Sequence, residues 1–399
     1  MLIELIIAII LGIIAGTITG LIPGIHINLI SIIILSLSLS LLTIVSPIIL
    51  VIFIVSMAIT HTFLDFIPSI YLGAPDPDSA LSILPGHEFL LKGKAHSAIL
   101  YTLTGSLTAL PIILIFTPIF IIFLPQIYPH IKNVIPIILI IASLFLISQE
   151  KTSKFYAISI FLLSGFLGIT TLNLHLNQPL LPLLTGLFGG SSLISSILRK
   201  QKVPEQKIEK ISITKRQITR TAFSAALSAP LFSFLPALGA NQSAIISSSI
   251  IKKPTQKEFL ILLGIINTVV MALSFITLQT ISYSRTGAAI SVKQIIENLT
   301  TTHLIYILIT IIITSFIAFF IGIHISKFFS KNITKFNYTK LSITILIFLI
   351  IITTIFSGFI GLLIFITSTF LGLATILIGI KRTYLMGCLI IPTILLYIL

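Results

Sequence analysis

The sequence contains few charged residues for its length. Of its 399 residues, only 9% are Asp, Glu, Lys or Arg, whereas 56% are hydrophobic. Soluble globular domains usually carry about 25% charged residues. The longest polar segment, residues 199–220, has only the length of a linker, so no separate soluble domain is expected. This composition argues against a water-soluble fold and indicates an integral membrane protein.

Cysteine is almost absent, and the basic residues do not form one surface. The single cysteine, Cys388, excludes an intrachain disulfide framework and a cysteine-based zinc site. The net charge of +14 comes from short basic clusters between apolar runs, which is the distribution that membrane topology produces. We therefore expect no nucleic-acid partner. The first 22 residues lack a basic n-region and a cleavage site, so they resemble a first span.

Long apolar runs recur from one end of the chain to the other. A span needs about 20 apolar residues, and the sequence offers about fourteen runs. They cover residues 2–22, 26–44, 48–71, 97–124, 133–149, 154–170, 179–198, 220–236, 240–251, 258–283, 302–326, 341–357, 359–380 and 384–399. Residues 240–251 are too short to cross alone and are expected to form a half-helix or re-entrant segment. The sequence thus predicts an all-α, multi-pass protein of the cell membrane with about 12–14 transmembrane segments.

Basic clusters and repeated motifs predict how these segments are organised. Residues 199–220 carry eight Lys or Arg and two Glu, so the positive-inside rule places them in the cytoplasm. Residues 23–28 (PGIHIN) align with residues 236–241 (PALGAN), and residues 94–99 (KAHSAI) align with residues 285–290 (RTGAAI). Because seven segments per half is an odd number, the second repeat would have the opposite orientation in the membrane from the first. The predicted parts are a first repeat at 1–198, a basic cytoplasmic linker at 199–219 and an inverted second repeat at 220–399.

The two Pro–Asn motifs interrupt apolar runs. Broken helices at membrane depth are tolerated only where they are buried or line a cavity. Their N-termini offer free N–H groups and partial positive charge, which suit an anionic ligand. An ordinary tight turn between two helices is the alternative. The predicted substrate-binding residues are Pro23, Gly24, His26, Asn28, Pro236, Gly239 and Asn241.

All three aspartates, Asp65, Asp76 and Asp78, lie within fourteen residues. A carboxylate at the bilayer centre costs about 2.5–3.5 kcal/mol, so intramembrane acids usually belong to a transport pathway. His61 lies four residues before Asp65 on the same helical face. We predict that this pair carries a proton or helps to coordinate a cation. A buried polar pair that only stabilises helix packing is the alternative.

Asp76 and Asp78 alternate with prolines, so this stretch is expected to be extended. Asp78 is then placed to cap a following helix. Paired aspartates in a cytoplasmic loop also suit Mg²⁺, and an intramembrane enzyme acting on a lipid or isoprenoid phosphate is therefore the alternative function. A purely structural membrane subunit is a third. Because no zinc-protease helix, P-loop or G-x-S-x-G motif is present, we predict no catalytic residue, metal site or cofactor.

Residues 73–98 (GAPDPDSALSILPGHEFLLKGKAHSA), with Asp76 and Asp78, resemble a signature of the large permease subunit of tripartite tricarboxylate transporters. The matching positions are Pro77, Ser79, Ala80, Gly86, Gly93 and Ala95. Residues 16–28 are similar to the same family's G-x-x-x-G-x-x-P-G-x-G-P-N pattern. Departures from the family pattern lie in the presumed substrate region, where His26 and Ile27 replace Gly-Pro. We therefore interpret the chain as a divergent, archaeal-like branch and do not assume citrate as its substrate.

The resemblance implies secondary transport of a small di- or tricarboxylate-like anion, driven by a proton or sodium gradient. In that family an extracytoplasmic binding protein delivers the substrate and a small membrane subunit assists. These two proteins, the anionic substrate and the lipid bilayer are the partners that the resemblance implies. The sequence leaves open whether the chain assembles into a homo-oligomer.

Overall fold

The computed structural model is helical, and no strand occurs in the part of the chain that it describes. The described residues are 2–22, 27, 31, 34, 42–73, 77–148, 150, 152–174, 176, 178–199, 203–235, 239–251, 254–296, 298–335 and 337–398. The predicted all-α class is thereby confirmed.

The helices of the described residues are numbered here in chain order. They are α1 (Leu2–Leu21), α2 (Pro47–Leu64), α3 (Phe66–Leu72), α4 (Ile83–Leu91), α5 (Ala95–Ser148), α6 (Lys154–Asn173), α7 (Leu180–Leu184), α8 (Ser191–Arg199), α9 (Lys215–Phe232), α10 (Ala240–Ile251), α11 (Gln256–Ile281), α12 (Gly287–Ile295), α13 (Thr301–Asn332), α14 (Tyr338–Ile378) and α15 (Gly387–Ile398). Short 3₁₀ segments lie at Pro77–Ser82, Ile333–Lys335 and Arg382–Met386, and a π-helical turn lies at Thr185–Gly190.

Eight helical stretches of the described chain are long and apolar enough to cross a membrane. They are Leu2–Leu21, Pro47–Leu72, Ala95–Ile131, Lys154–Asn173, Leu180–Leu198, Gln256–Ile281, Thr301–Lys335 and Thr339–Ile378. Two shorter apolar helices occur at Val134–Ser148 and Arg382–Ile398. Because one crossing needs only about 20 residues, several of these stretches are unusually long. The chain is a multi-pass membrane protein, as predicted.

The helix α14 is broken in its middle at Gly358. This glycine has φ 66° and ψ −166°, a conformation that ends one helical segment and starts another. Residues with a side chain rarely adopt this backbone conformation, so the bend requires glycine. The sequence prediction of separate segments at 341–357 and 359–380 is consistent with this break.

Two central helices, α5 and α11, approach each other at a pair of glycines. A Cβ atom at Gly105 would lie within 2.9 Å of the carbonyl carbon of Ile261, and one at Gly264 would lie equally close to the carbonyl carbon of Thr102. Small residues at such crossings are typical of membrane helix packing. The contact joins the half that precedes the basic linker to the half that follows it.

The basic linker packs against the turn that follows α4. The N–H of Lys207 donates to the main-chain oxygen of Gly93 at 2.7 Å. Gln206 accepts from the N–H of Ala95 through Oε1 and donates to the main-chain oxygen of Leu90 through Nε2, both at 3.0 Å. One linker side chain therefore joins the end of α4 to the start of α5. The cytoplasmic location of the linker remains a prediction.

Candidate functional site

His61 and Asp65 lie in one apolar helical stretch, Pro47–Leu72, near the point where it is divided into two helices. α2 ends at Leu64 and α3 begins at Phe66, so Asp65 occupies the junction. Both predicted coupling residues are buried, and Asp65 is only 3% exposed. The structure thus places the two side chains one turn apart in the protein interior.

Asn267 of α11 donates a hydrogen bond to Asp65. The distance from Asn267 Nδ2 to Asp65 Oδ2 is 3.0 Å, and the same nitrogen lies 3.4 Å from the main-chain oxygen of Thr62. Asn267 is buried. Sequence analysis missed this residue because a lone amide within the run 258–283 belongs to no motif. The signal that was available is the rarity of polar side chains inside a membrane span.

The imidazole of His61 contacts Thr19 of α1. The Thr19 hydroxyl donates to the main-chain oxygen of Gly16 at 3.2 Å. His61 Nδ1 lies 3.1 Å from Thr19 Oγ1. The contact with Thr19 therefore connects the imidazole of His61 to α1, one helical turn from Asp65.

Ser79 of the loop motif is connected to the junction at Asp65. Ser69 Oγ donates to the main-chain oxygen of Asp65 at 3.0 Å and lies 2.8 Å from Ser79 Oγ. Ser82 in turn donates to the main-chain oxygen of Ser79 at 2.7 Å. The Pro77–Ser82 segment also packs against α10 and α11. The loop motif, the coupling pair and the second-half helices therefore meet in one region.

The expectation of an extended chain at Asp78 is wrong, because Asp78 belongs to the 3₁₀ segment Pro77–Ser82. Proline at a first helical position has a suitable φ and lacks only an N–H that has no helical partner there. Asp78 is thus inside a helical turn rather than ahead of one. Asp76 and the side chain of Asp78 lie outside the described residues.

Two glycines of the loop motif have packing roles. A Cβ atom at Gly86 would lie 2.5 Å from Ile70 Cγ1, so glycine allows α4 to rest on α3. Gly93 has φ 72°, and a Cβ atom there would lie 2.7 Å from the main-chain oxygen of Glu205 in the linker. The resemblance to the family signature did not reveal either role. Each depends on a contact with a residue outside the signature, Ile70 of α3 or Glu205 of the linker.

The second predicted hairpin lies between α9 and α10. Gly239 and Asn241 are described, whereas residues 236–238, with Pro236, lie outside the described residues. α10 has the predicted bounds, and its 12 residues span about 18 Å at 1.5 Å per residue. This is too short for a hydrocarbon core about 30 Å thick. Asn241 is buried in the first turn of α10.

A row of serines holds α10 against α9. Ser224 Oγ donates to the main-chain oxygen of Ser247 at 2.6 Å, and Ser228 Oγ lies 2.9 Å from Ser243 Oγ. Ser228 also contacts Ser247 through their hydroxyls. These small polar side chains allow the two helices to pack closely. The first turn of α10 is therefore anchored to a long neighbouring helix.

The first predicted hairpin lies outside the described residues. This applies to Pro23, Gly24, His26 and Asn28. Their predicted approach to the second hairpin remains a prediction.

A further buried polar cluster joins α3, α5 and α13. Tyr71 Oη donates to the main-chain oxygen of Ser326 at 3.0 Å and lies 2.6 Å from Ser330 Oγ. His96 Nδ1 lies 2.9 Å from Ser326 Oγ. Sequence analysis gave these side chains no role, because they lie on three helices that are distant in sequence.

A half-buried cation, Arg382, contacts the π-helical turn. Arg382 donates to Ser192 Oγ at 2.7 Å and to Ser191 Oγ at 3.1 Å, and its guanidinium lies 5.3 Å from the ring centre of Phe188. It also donates to the main-chain oxygen of Leu187 at 3.3 Å. A π-helical turn leaves carbonyl groups without their usual helical donors. Arg382 therefore stabilises this turn. Burial of the His87 ring, and secondly the positive charge of Arg382, lower the pKa of His87 to about 4.

Within the described part of the chain, no group of three or more His, Cys, Asp or Glu side chains is placed to hold a metal ion. Asp76 and the Asp78 side chain, on which the predicted alternative of an enzyme relies, lie outside that part.

Comparison with known proteins was made on the whole sequence. A model of the tripartite tricarboxylate transporter TctA family matches residues 6–387. The Uncharacterized protein MJ1079 of Methanocaldococcus jannaschii is 30% identical over 315 residues, which are 76% of this chain and 77% of that protein. No solved structure was found to match the chain. The resemblance seen in the two motif regions thus extends over nearly the whole length.

Proposed function

The chain belongs to the tripartite tricarboxylate transporter TctA family, and we propose that it imports a small di- or tricarboxylate-like anion by coupling to a proton or sodium gradient. Membership makes it a membrane component of such a transporter. The identity of the anion and of the coupling ion belongs to the proposal.

The observation that carries the proposal is the buried carboxylate of Asp65 and its hydrogen bond to Asn267. An acid in a membrane interior is costly and is usually retained for an ion or proton pathway. When Asp65 gains or loses a cation, the charge changes at the contact between α2 and α11. A ligand shifts a conformational equilibrium only through different interactions with the two states. A charge change at this contact supplies such a difference.

His61 is proposed to act together with Asp65. Its Nδ1 lies 3.1 Å from the Thr19 hydroxyl, so the contact with α1 positions the ring. A carboxylate and an imidazole one helical turn apart can share or pass a proton. For sodium coupling, Asp65 would instead supply carboxylate oxygen. Both forms of coupling keep Asp65 in the central role.

The substrate is proposed to bind at the two hairpins. Gly239 and Asn241 lie at the start of α10, where helix N–H groups and the helix dipole favour an anion. The hairpin at 23–28 is proposed to face it from the first repeat. Because the Pro77–Ser82 segment contacts α10 and is linked through Ser69 to Asp65, the two proposed sites would be neighbours.

The family works with a binding protein and a small membrane subunit, and we propose such partners here. The inverted relation of the repeats 1–198 and 220–399, and the cytoplasmic position of the linker 199–219, are part of the same proposal. Nothing in the described residues favours the alternative of an intramembrane enzyme.

The test is uptake into proteoliposomes that contain the purified protein. A panel of labelled di- and tricarboxylates is applied with and without imposed proton and sodium gradients, and protein-free liposomes are the control. Saturable, gradient-dependent uptake of one carboxylate is expected. If folded protein moves no carboxylate under any gradient, and equally fails to exchange internal for external carboxylate, the proposal is overturned.

A further inference from the structure

Gln242 lies in the first turn of α10, with its side chain turned back over the start of the helix. Its Oε1 accepts a hydrogen bond from the N–H of Gly239 at 2.8 Å. A main-chain N–H can only donate, so this contact identifies the oxygen of the amide. The remaining polar atom of the amide is therefore the nitrogen, Nε2. Because the oxygen is bonded to Gly239, Nε2 also lies at the helix N-terminus.

This Nε2 group is an unused donor in the interior. Gln242 is 2% exposed, and Nε2 has no hydrogen-bond partner among the residues that the structure describes. Buried polar side chains nearly always have a partner, and an unpaired one is costly. An apolar residue at position 242 would avoid that cost. The donor thus points to a partner that is present only part of the time.

The surroundings indicate what kind of partner this is. The first turn of a helix presents unpaired N–H groups and partial positive charge, which attract anions. α10 also contacts α11, which carries Asn267, and the Pro77–Ser82 segment. The serine contacts with α9 hold α10 in place, so the amide is presented by a fixed element. An anion with oxygen acceptors fits this position.

We infer that Gln242 Nε2 donates a hydrogen bond to a carboxylate group of the transported anion, an inference that rests on the proposed function. A neutral amide is suited to this role, because it binds the carboxylate without adding a permanent charge to the empty site. Gln242 is thus a specificity-determining residue of the substrate site.

The substitution Gln242→Glu separates recognition from helix capping. A glutamate oxygen can still accept from Gly239 N–H, but the Nε2 donor is replaced by a negatively charged acceptor. Gln217 offers a matched control, because its Oε1 accepts from Thr214 N–H at 3.0 Å at the exposed start of α9. Gln217→Glu makes the same chemical change at a helix start that is not in the proposed site.

The measurement is equilibrium binding of the labelled carboxylate that the wild-type protein takes up, with a thermal melt of each variant as the test of folding. Gln242→Glu is expected to raise Kd at least tenfold, while Gln217→Glu leaves Kd unchanged. Lowering the pH in the binding assay is expected to recover part of the loss for Gln242→Glu alone, because a protonated carboxyl regains one donor.

Unchanged affinity in a folded Gln242→Glu protein would overturn the inference and leave the proposed function standing. Failure of the wild-type protein to bind or exchange any carboxylate would instead count against the proposed function. If Gln242→Glu does not fold, Gln242→Met decides against its own control Gln217→Met, because both changes remove the capping oxygen and the donor without adding a charge. A wild-type Kd for Gln242→Met overturns the inference, and a tenfold weaker Kd for Gln242→Met with an unchanged Kd for Gln217→Met supports it.

Discussion

The helices α11 and α14 are both apolar enough to cross a membrane, but they occupy opposite environments. In the 18-residue stretch by which each qualifies as a span, 94% of the residues of α11 are buried, against 22% for α14. α11 places Asn267 against Asp65 and packs through Gly264 on α5. α14 instead presents large apolar side chains outward, and Phe359 is 71% exposed.

This comparison shows what hydropathy measures and what it does not. Both sequences satisfy the length and composition of a span. Hydropathy therefore identifies both as membrane segments but does not show which one is buried by other helices. The share of each helix that is buried separates them, together with Asn267 of α11, whose buried amide bonds to Asp65 from another helix. The coupling residues are proposed at the contact between α2 and α11, and α14 carries no residue of the proposed sites.

The largest expected effect is loss of the folded protein on Gly264→Ala. The new Cβ would collide with the main chain of α5 at Thr102, which cannot move aside as a side chain can. Overpacking usually costs about 1–3 kcal/mol, and a main-chain collision lies at or above the top of that range. Size-exclusion chromatography and thermal melts of the purified protein measure the effect.

Gly358→Ala is the control on α14. Nothing lies within 4 Å of its added Cβ, so the cost comes only from the backbone conformation (φ 66°, ψ −166°), which is nearly restricted to glycine and costs about 1–3 kcal/mol. Equal melting temperatures for Gly264→Ala and the wild type would contradict the packing of α5 on α11.

The second expected effect is on transport, through Asn267→Leu. This change removes a donor to Asp65 but keeps α11 apolar. A hydrogen bond to a charged group contributes about 1.5–3 kcal/mol, so gradient-driven uptake is expected to fall at least tenfold. Initial rates in proteoliposomes measure it.

Thr354→Val on α14 is the matched change, because the Thr354 hydroxyl bonds only within its own helix, to the Ile350 carbonyl. It is expected to leave uptake unchanged. Equal losses in both variants would remove the distinction between the buried helix and the lipid-facing one.

A third effect is expected at the linker. Gly93→Ala combines an unfavourable φ of 72° with a collision at the Glu205 carbonyl, so the linker should detach from the turn after α4. Trypsin should then cut at Lys207 and Lys210 several-fold faster.

Gly379→Ala has a similar φ of 78° with open space around the added Cβ. It serves as the control, and equal cleavage rates in the two variants would show that the contact with Glu205 does not hold the linker.

The smallest expected effect is that of Phe359→Leu. The side chain is mostly exposed on α14, and surface substitutions usually change stability by less than about 0.5 kcal/mol. The melting temperature should stay within a few degrees of the wild type. A large drop would mean that α14 has a protein partner where lipid is assumed.

Much of the fold could be predicted from sequence because it depends on local composition. The apolar runs, the short helix α10 and the break near Gly358 follow from length, proline and glycine. The burial of His61 and Asp65 followed from the cost of acids in membranes. Asn267, the capping by Gln242 and the docking of the linker could not be predicted, because each depends on which distant helices meet. A polar residue inside an apolar run signals importance but does not identify its partner.

The most direct test of the central claim compares two activities of Asp65→Asn in proteoliposomes. One is gradient-driven accumulation of the carboxylate, and the other is exchange of internal for external carboxylate without a gradient. Glu88→Gln, an acid change at a partly exposed position, is the control. If Asp65 couples the gradient to transport, accumulation is lost while exchange persists. Accumulation at the wild-type rate by Asp65→Asn would contradict the account.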